Sequence, residues 1–439
     1  MSEKSIQTTS FIQNFKQLTD ERIEQEPVSW LKELKLNSLT RFEKTGVPTV
    51  KDEEWKYTNL STVINQKYNV NGNAQLKEQT AFDQYCAGHP LQITYVNGHF
   101  SEQHSKLDRL PKGVTVLPLA AALKTHGEKI KTLLSKYSAN QSAPFVALNT
   151  ALTDNGVFIE IAPNCIVPEY VHVVHVTSSS NGEALSFPRT IILAGKSSES
   201  TVLESHIAFN QEIIYFTNAL TDIHLAENAT LHYSKAQHES LKAYHINSTR
   251  VWQEQNSNLD SICVMTGSAI NRNNLDIVLN GEGINSTLNG LYCLYGHQHV
   301  DNHTAVDHRF PNCVSNQLYK GVLNQSSRAV FNGKIFVKPI AQKTNSYQLN
   351  KNLLLGDKCR VDTKPQLEIF ADDVRCTHGA TIGQLDADEM FYLQTRCIGQ
   401  AESKKMLVKG FVDDLLNTVK NQEIKRKLLT LLEPSFAQL

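Results

Sequence analysis

With 439 residues the chain is longer than one ordinary compact core organises, so either two or three domains or one elongated repeat body with flanking domains is expected. Its 43 Lys and Arg against 44 Asp and Glu leave a net charge of −1, which supplies no global field to attract nucleic acid or an anionic membrane. The opening residues Met1-Ser2-Glu3-Lys4-Ser5-Ile6-Gln7 lack the apolar core of a signal peptide, and no apolar run is long enough to span a bilayer, so a cytoplasmic protein outside the membrane is expected.

The first elements are helical. An amphipathic pattern starts at Ser29-Trp30-Leu31, continues through Leu39 and Phe42, and stops at Gly46-Val47-Pro48. The turn-rich stretch Asp52-Glu53-Glu54-Trp55-Lys56-Tyr57-Thr58-Asn59-Leu60 follows, and its rings are expected to pack on the first domain. β-like runs at 92–96 and 114–117 with a helical stretch at 120–137 predict a small mixed α/β N-terminal domain over residues 1–150.

Between 157 and 370 the texture changes to short strands separated by Asn, Gly and Ser, at 170–177, 190–193, 213–216, 230–233, 275–279, 330–337 and 366–370. Several begin just after a small or charged turn, as in Glu227-Asn228-Ala229-Thr230 and Asn280-Gly281-Glu282-Gly283-Ile284. The spacing is irregular, roughly 25–45 residues, as expected of solenoid coils that tolerate their own insertions. The absence of intervening amphipathic helices argues against a doubly wound α/β fold, leaving a β-solenoid or a sandwich. The polar composition, with 20% charged residues, favours the solenoid, whose core is expected over residues 151–375.

A C-terminal helical domain, 376–439, is expected to cover the strand edges at the end of the solenoid. Asp386 with Glu389 reads as a capped start, residues 390–396 as the first helix, and Gly399 as its close. Leu407, Phe411, Val412, Leu415, Leu416 and Val419 mark a second helix; Ile424, Leu428, Leu431 and Leu432 mark a third, stopped by Pro434.

Candidate chemistry is sparse. Eight cysteines are scattered singly, without CxxC, and read as reduced, small buried hydrophobes. Cys376 differs because His378 lies two residues on: if both sit on a strand they share a face, and both soft donors reach one metal or one partner surface. The segment His297-Gln298-His299-Val300-Asp301-Asn302-His303-Thr304-Ala305-Val306-Asp307-His308 reads either as a structural imidazole row or as a metal ligand set, though it has no fixed zinc spacing. Tyr319-Lys320-Gly321 and Asn332-Gly333-Lys334 do not form a phosphate loop. Asp372-Asp373 and Asp413-Asp414 read as solvated surface. No nucleotide fingerprint, nucleophile elbow or Ser-His-Asp set is present, so the chain reads as non-catalytic. Two further readings stay open: a polysaccharide-active β-helix enzyme, which predicts a carboxylate groove and secretion, and a stand-alone metal-binding protein using His297 to His308.

The stretch Cys376-Thr377-His378-Gly379-Ala380-Thr381-Ile382-Gly383-Gln384-Leu385-Asp386, followed by Phe391-Tyr392-Leu393 and Arg396, resembles the C-terminal signature of the SufB/SufD family of iron–sulfur cluster assembly proteins. The likeness extends upstream through Val306-Asp307-His308, Ser315 to Gly321, Phe331-Asn332-Gly333-Lys334, Ala341-Gln342-Lys343-Thr344 and Asp362 to Ile369, covering about the last third of the chain densely. Glu53 to Leu60 is similar to the N-terminal motif of the SufD branch, and where SufB carries Glu after Cys-x-His this chain has Gly379-Ala380-Thr381.

The resemblance implies a right-handed parallel β-helix between an N-terminal domain and a C-terminal helical domain. It also implies a scaffold subunit that pairs with SufB along the β-helix, with a homodimer in the absence of SufB left open. Cys376 and His378 would lie at the interface where a transient iron–sulfur cluster forms, held with the partner, with no permanently bound cofactor in the isolated chain. His378 would serve as a ligand, and Cys376 as a ligand or a buried interface thiol. The SufC ABC-type ATPase would bind the C-terminal helical domain through Gln384, Asp386, Phe391, Tyr392 and Arg396.

Overall fold

The computed structural model describes residues 11, 16–66, 68, 75–86, 89–137, 143–153, 155–178 and 184–438; the opening heptapeptide read above lies outside them. Two long sheets of parallel strands form the two walls of a β-solenoid of about eight turns, the chain alternating between them. Thr230 pairs with Asn258, Asn258 with Asn285, Asn285 with Val314, and Val314 with Asn345. One turn therefore takes roughly thirty residues, more regular than the spacing read from sequence.

The corners explain the turn chemistry. Asn228, Asn256, Gly283 and Asn312 each have positive φ and each lies two residues before a strand. The left-handed conformation suits Asn and Gly, because Asn bonds locally and Gly has no Cβ to clash. Each corner hydrogen-bonds to the next: Asn228 N donates to Gln255 O (3.0 Å) and Asn256 N to Glu282 O (2.8 Å).

The first rung is closed by the N-terminal region. Gln92–Val96 pairs parallel with Ile166–Val176 in one sheet, and Val114–Pro118 pairs antiparallel with Gly156–Ile161 in the other. Helices Ser29–Thr45, Leu119–Lys136 and Pro144–Leu152 lie over the outer face of the second sheet, where Trp55, Phe145, Phe216 and Ile246 share a core. The Glu53 to Leu60 motif packs on the first domain as expected, Trp55 lying 5.4 Å from the Phe145 ring, and it also reaches the β-helix. Arg272 lies 4.4 Å over the Trp55 ring and donates to Glu54 O at 2.8 Å.

The C-terminal helices depart from expectation in one respect. Gln400–Leu416 and Gln422–Phe436 do not close the end of the solenoid; they lie along the outer face of the first sheet. There Val408, Val412, Leu415 and Leu428 meet Ile262, Val264, Leu291 and Val322. Lys320 Nζ reaches across to Asp414 Oδ2 at 2.5 Å, and the Tyr170 hydroxyl donates to Glu423 at 2.8 Å. These apolar faces prefer the sheet's outer surface because it carries apolar side chains, while much of the interior is polar. Gly399 opens the second helix as its N-cap instead of closing the first, which ends before the left-handed residue Cys397. Pro434 lies within the last turn of the third helix, which runs on to Phe436.

Candidate functional site

The far end of the solenoid is open. Its last rung consists of Arg360–Ile369 in one sheet and Arg375–Gly383 in the other, and no strand among the described residues pairs with the outer edge of either. Residues on both strands are half-buried or exposed, in contrast to the preceding rungs. Ile369, Phe370 and Ile382 are exposed at this end. A long open edge with apolar side chains is a template for pairing with another chain.

Cys376 and His378 occupy this edge. Cys376 is in register with Ser346, and His378 with Gln348, whose buried side chains point into the solenoid. In-register parallel strands keep side chains on one face, so both donors extend columns of interior polar groups. Ser346 Oγ lies 2.7 Å from Ser315 Oγ, Gln348 Nε2 donates to Gln317 Oε1 (3.4 Å), and Thr304 Oγ1 donates to the same oxygen (2.8 Å). The predicted common face is therefore present, at the mouth of a polar interior. Cys376 is half-buried against the cluster of Ile335, Val337, Ala341 and Ala371, and burial pushes its thiol up, while His378 is exposed.

Beyond the strand, Gln384 is exposed and Asp386 is the N-cap of helix Ala387–Thr395, its carboxylate accepting from Asp388 N (2.8 Å) and Glu389 N (3.1 Å). That helix has no buried residue. Phe391 is 66% and Tyr392 58% exposed, and Arg396 stacks on the Tyr392 ring at 5.2 Å. Of the five residues, four present side chains outward, whereas Asp386 is occupied by its cap.

The histidine-rich segment forms strand His299–His308 and serves mainly as a dock. Thr58 Oγ1 donates to Asp301 Oδ2 (2.5 Å) and lies 2.8 Å from His299 Nε2. His303 Nδ1 lies 3.1 Å from Glu54 Oε2, a hydrogen bond that holds the Glu54 carboxyl down to about 2. His308 points inward to Ser315 Oγ at 2.9 Å.

Sequence reading missed a second cluster, inside the solenoid. His175 is in register with His206 on the neighbouring rung, and Glu204 shares the inward face of His206. The two imidazoles stack with centroids 4.7 Å apart, and His206 Nε2 lies 3.0 Å from Glu204 Oε1. Burial holds His175 well below its ordinary value and His206 down to about 4. Burial would raise the Glu204 carboxyl, but Lys235 and His206 outweigh it and keep the group low. The alignment becomes visible in sequence only once the coil repeat is known.

Burial gives these histidines a common pH signature. His206, His238, His299 and His308 are all pushed down to about 4. The unfolded chain therefore binds more protons than the folded one between about pH 6.5 and 4, and stability, full above that window, falls as pH drops through it. A loss on the order of several kcal/mol is expected between pH 7.5 and 4.5. Urea midpoints at the two pH values check it, and an unchanged midpoint contradicts it.

Comparison with known proteins agrees with this fold. Residues 5–173 match the SufBD protein N-terminal region, and residues 175–411 match the SufBD core domain of SUF system FeS cluster assembly. The chain is 30% identical over 391 residues to an iron–sulfur cluster assembly SufBD family protein of Synechocystis sp., covering 87% of this chain and 86% of that protein. It is 29% identical over 397 residues to the iron–sulfur cluster assembly protein SufD of Escherichia coli, covering 89% and 90%. It is 25% identical over 420 residues to SufD of Bacillus subtilis, covering 93% and 94%. Matched along nearly its whole length, with a β-solenoid between an N-terminal α/β region and C-terminal helices, the chain belongs to the SufBD family of the iron–sulfur cluster assembly system.

Proposed function

We propose that this chain is a non-catalytic scaffold that joins a SufB-type paralogue edge to edge at its open end and forms a transient iron–sulfur cluster there with it. The observation that carries this reading is the uncovered last rung with Cys376 and His378 at its mouth. An iron–sulfur cluster takes four protein ligands, thiolates or, in some centres, imidazoles, and this edge offers two donors, so the partner supplies the remainder. Burial keeps the Cys376 thiol protonated before iron arrives, and coordination would release that proton to solvent as the thiolate binds. His378 would bind through one nitrogen, the other needing a hydrogen-bond partner to set its tautomer.

The exposed helix Ala387–Thr395 is the surface for a SufC-type ABC ATPase, through Gln384, Phe391, Tyr392 and Arg396, with Asp386 holding the helix start. ATP-driven movement of this helix would act directly on the strand that ends in Gly383. A carbohydrate groove is disfavoured because the chain's own helices cover much of the first sheet's outer face and the early strands of the second's. Likewise, the docking contacts of His299 and His303 argue against a stand-alone metal site at His297 to His308.

Anaerobic co-expression with the paralogue and the ATPase, followed by absorption spectra and iron and sulfide analysis, tests the reading. A coloured ternary complex is expected, with His378→Ala assembling the complex but losing most of its iron and sulfide. A colourless chain with no stable partner overturns the scaffold; a His378→Ala complex with normal clusters overturns only the site assignment.

A further inference from the structure

We propose that His175, Glu204 and His206 form a buried three-ligand site for a divalent first-row transition ion, distinct from Cys376 and His378. The three ligand atoms lie within 4.8 Å of one another. A tetrahedral ion with bonds of about 2.1 Å places its ligands about 3.4 Å apart. His206 and Glu204 lie just inside that spacing at 3.0 Å, so closure needs a slight opening of this pair and chiefly a rotation of His175.

His175 is the second, independent pointer. Its Nε2 is buried and has no hydrogen-bond partner. An unsatisfied buried nitrogen is destabilising, and a coordinated ion removes that penalty. Buried neutral imidazoles are also the form that binds metal, so no proton has to be expelled from His175. At His206 the proton now shared between Nε2 and Glu204 moves to Nδ1, and the ion takes its place, leaving the total proton count unchanged.

Glu204 is held as a ligating carboxylate should be. Tyr233 donates to its Oε2 at 2.7 Å and Thr221 at 3.1 Å, which leaves Oε1 facing the imidazoles. Such outer partners fix ligand orientation. The remaining neighbours set the charge. Lys235 Nζ lies 3.6 Å from Glu204 Oε1 and donates to Asn247 Oδ1 at 2.6 Å. His245 packs edge-on to His206 at 4.9 Å, with Nδ1 2.9 Å from Glu239 Oε2. Lys235 thus faces Glu204, Glu239 faces His245, and the Lys235 ammonium opposes the incoming dication. Two nitrogens and one oxygen suit zinc, iron(II) or cobalt(II), whereas calcium and magnesium demand oxygen ligands.

Cobalt(II) serves as the probe because its visible bands report coordination. The full chain is produced in cobalt-supplemented minimal medium, so that the site fills on folding, and is purified anaerobically. One tightly held equivalent with visible d–d bands is expected for the wild type and equally for a Cys376→Ala/His378→Ala variant, which separates this site from the edge. Glu204→Gln should lose that equivalent, with the circular dichroism of the purified variant confirming its fold. Lys235→Met should hold the ion about tenfold or more tightly in chelator competition, since it removes the opposing charge. Absence of bound cobalt in the wild type overturns the proposal. So does an equivalent that survives Glu204→Gln or vanishes with the edge residues, or a Lys235→Met affinity equal to the wild type.

Discussion

Asp222→Ala is expected to destabilise the fold by on the order of 3–5 kcal/mol, enough to leave little folded protein. Asp222 is fully buried beneath the N-terminal helices and joins two buried cations. Arg189 reaches its Oδ2 through Nε (3.0 Å) and Nη2 (2.6 Å), and Arg250 reaches its Oδ1 through Nε (2.7 Å) and Nη2 (2.5 Å). Arg189 also donates to Thr150 Oγ1 (3.3 Å), and Arg250 stacks on the Tyr137 ring at 4.4 Å, so the triad ties helices Leu119–Lys136 and Pro144–Leu152 to the sheet. Removing the carboxylate strands two buried guanidinium groups without the counter-charge they share, which is worse than never having built the triad. Replacing all three by apolar residues, Asp222→Leu with Arg189→Met and Arg250→Met, should therefore recover much of the loss. Burial would raise the Asp222 carboxyl, but Arg250 and Arg189 outweigh it and hold the group low. Its contribution is present above the ordinary Asp range and is lost only as pH falls through the lower folded value, at more acid pH than the histidine effect. Urea midpoints of the variants decide the matter: an Asp222→Ala shift no larger than that of the exposed Asp373→Ala contradicts it.

The solenoid was legible where backbone geometry demands particular residues, and obscure where side chains invert the usual pattern. The corners at Asn228 and Gly283 follow from left-handed backbone, so the turns could be read directly. Strand Asn345–Leu354 could not be read as easily, because its inward residues Ser346, Gln348, Asn350 and Asn352 are polar and buried. A polar residue every second position suggests a solvent face, yet here the polar groups satisfy one another inside: Asn350 Nδ2 donates to Tyr319 O (3.2 Å) and Asn352 Nδ2 to Asn350 Oδ1 (2.7 Å). The same inversion misled the placement of the terminal helices. Their apolar faces were visible, but the apolar surface that receives them is the outside of a sheet. Cys376 and His378 were legible because they are two residues apart on one strand, whereas His175, Glu204 and His206 come together through a register spanning a full turn. The docking of Glu54 and Thr58 on His303 and Asp301 joins residues more than two hundred positions apart, and no local pattern encodes it.

The double variant Phe391→Ala/Tyr392→Ala is expected to weaken binding of the proposed ATPase at least about 100-fold while leaving stability unchanged. Aromatic residues that become fully buried at an interface commonly contribute 2 kcal/mol or more each, and here two lie side by side with more than half of each side chain exposed. Arg396, already stacked on Tyr392, reduces the ordering that binding requires. The helix carrying them has no buried residue, so truncating these rings leaves no cavity in the chain's own core. Calorimetric titration of the purified ATPase into wild type and variant measures the effect, and equal affinities contradict it. Association with the paralogue should survive, because the open edge at Cys376 and His378 is formed by backbone that the variant does not alter. If both associations were lost together, the helix and the edge would be one surface. Loss of the ATPase alone would mean that the helix and the edge are separate surfaces, set only a few residues apart by the link from Gly383 to Asp386.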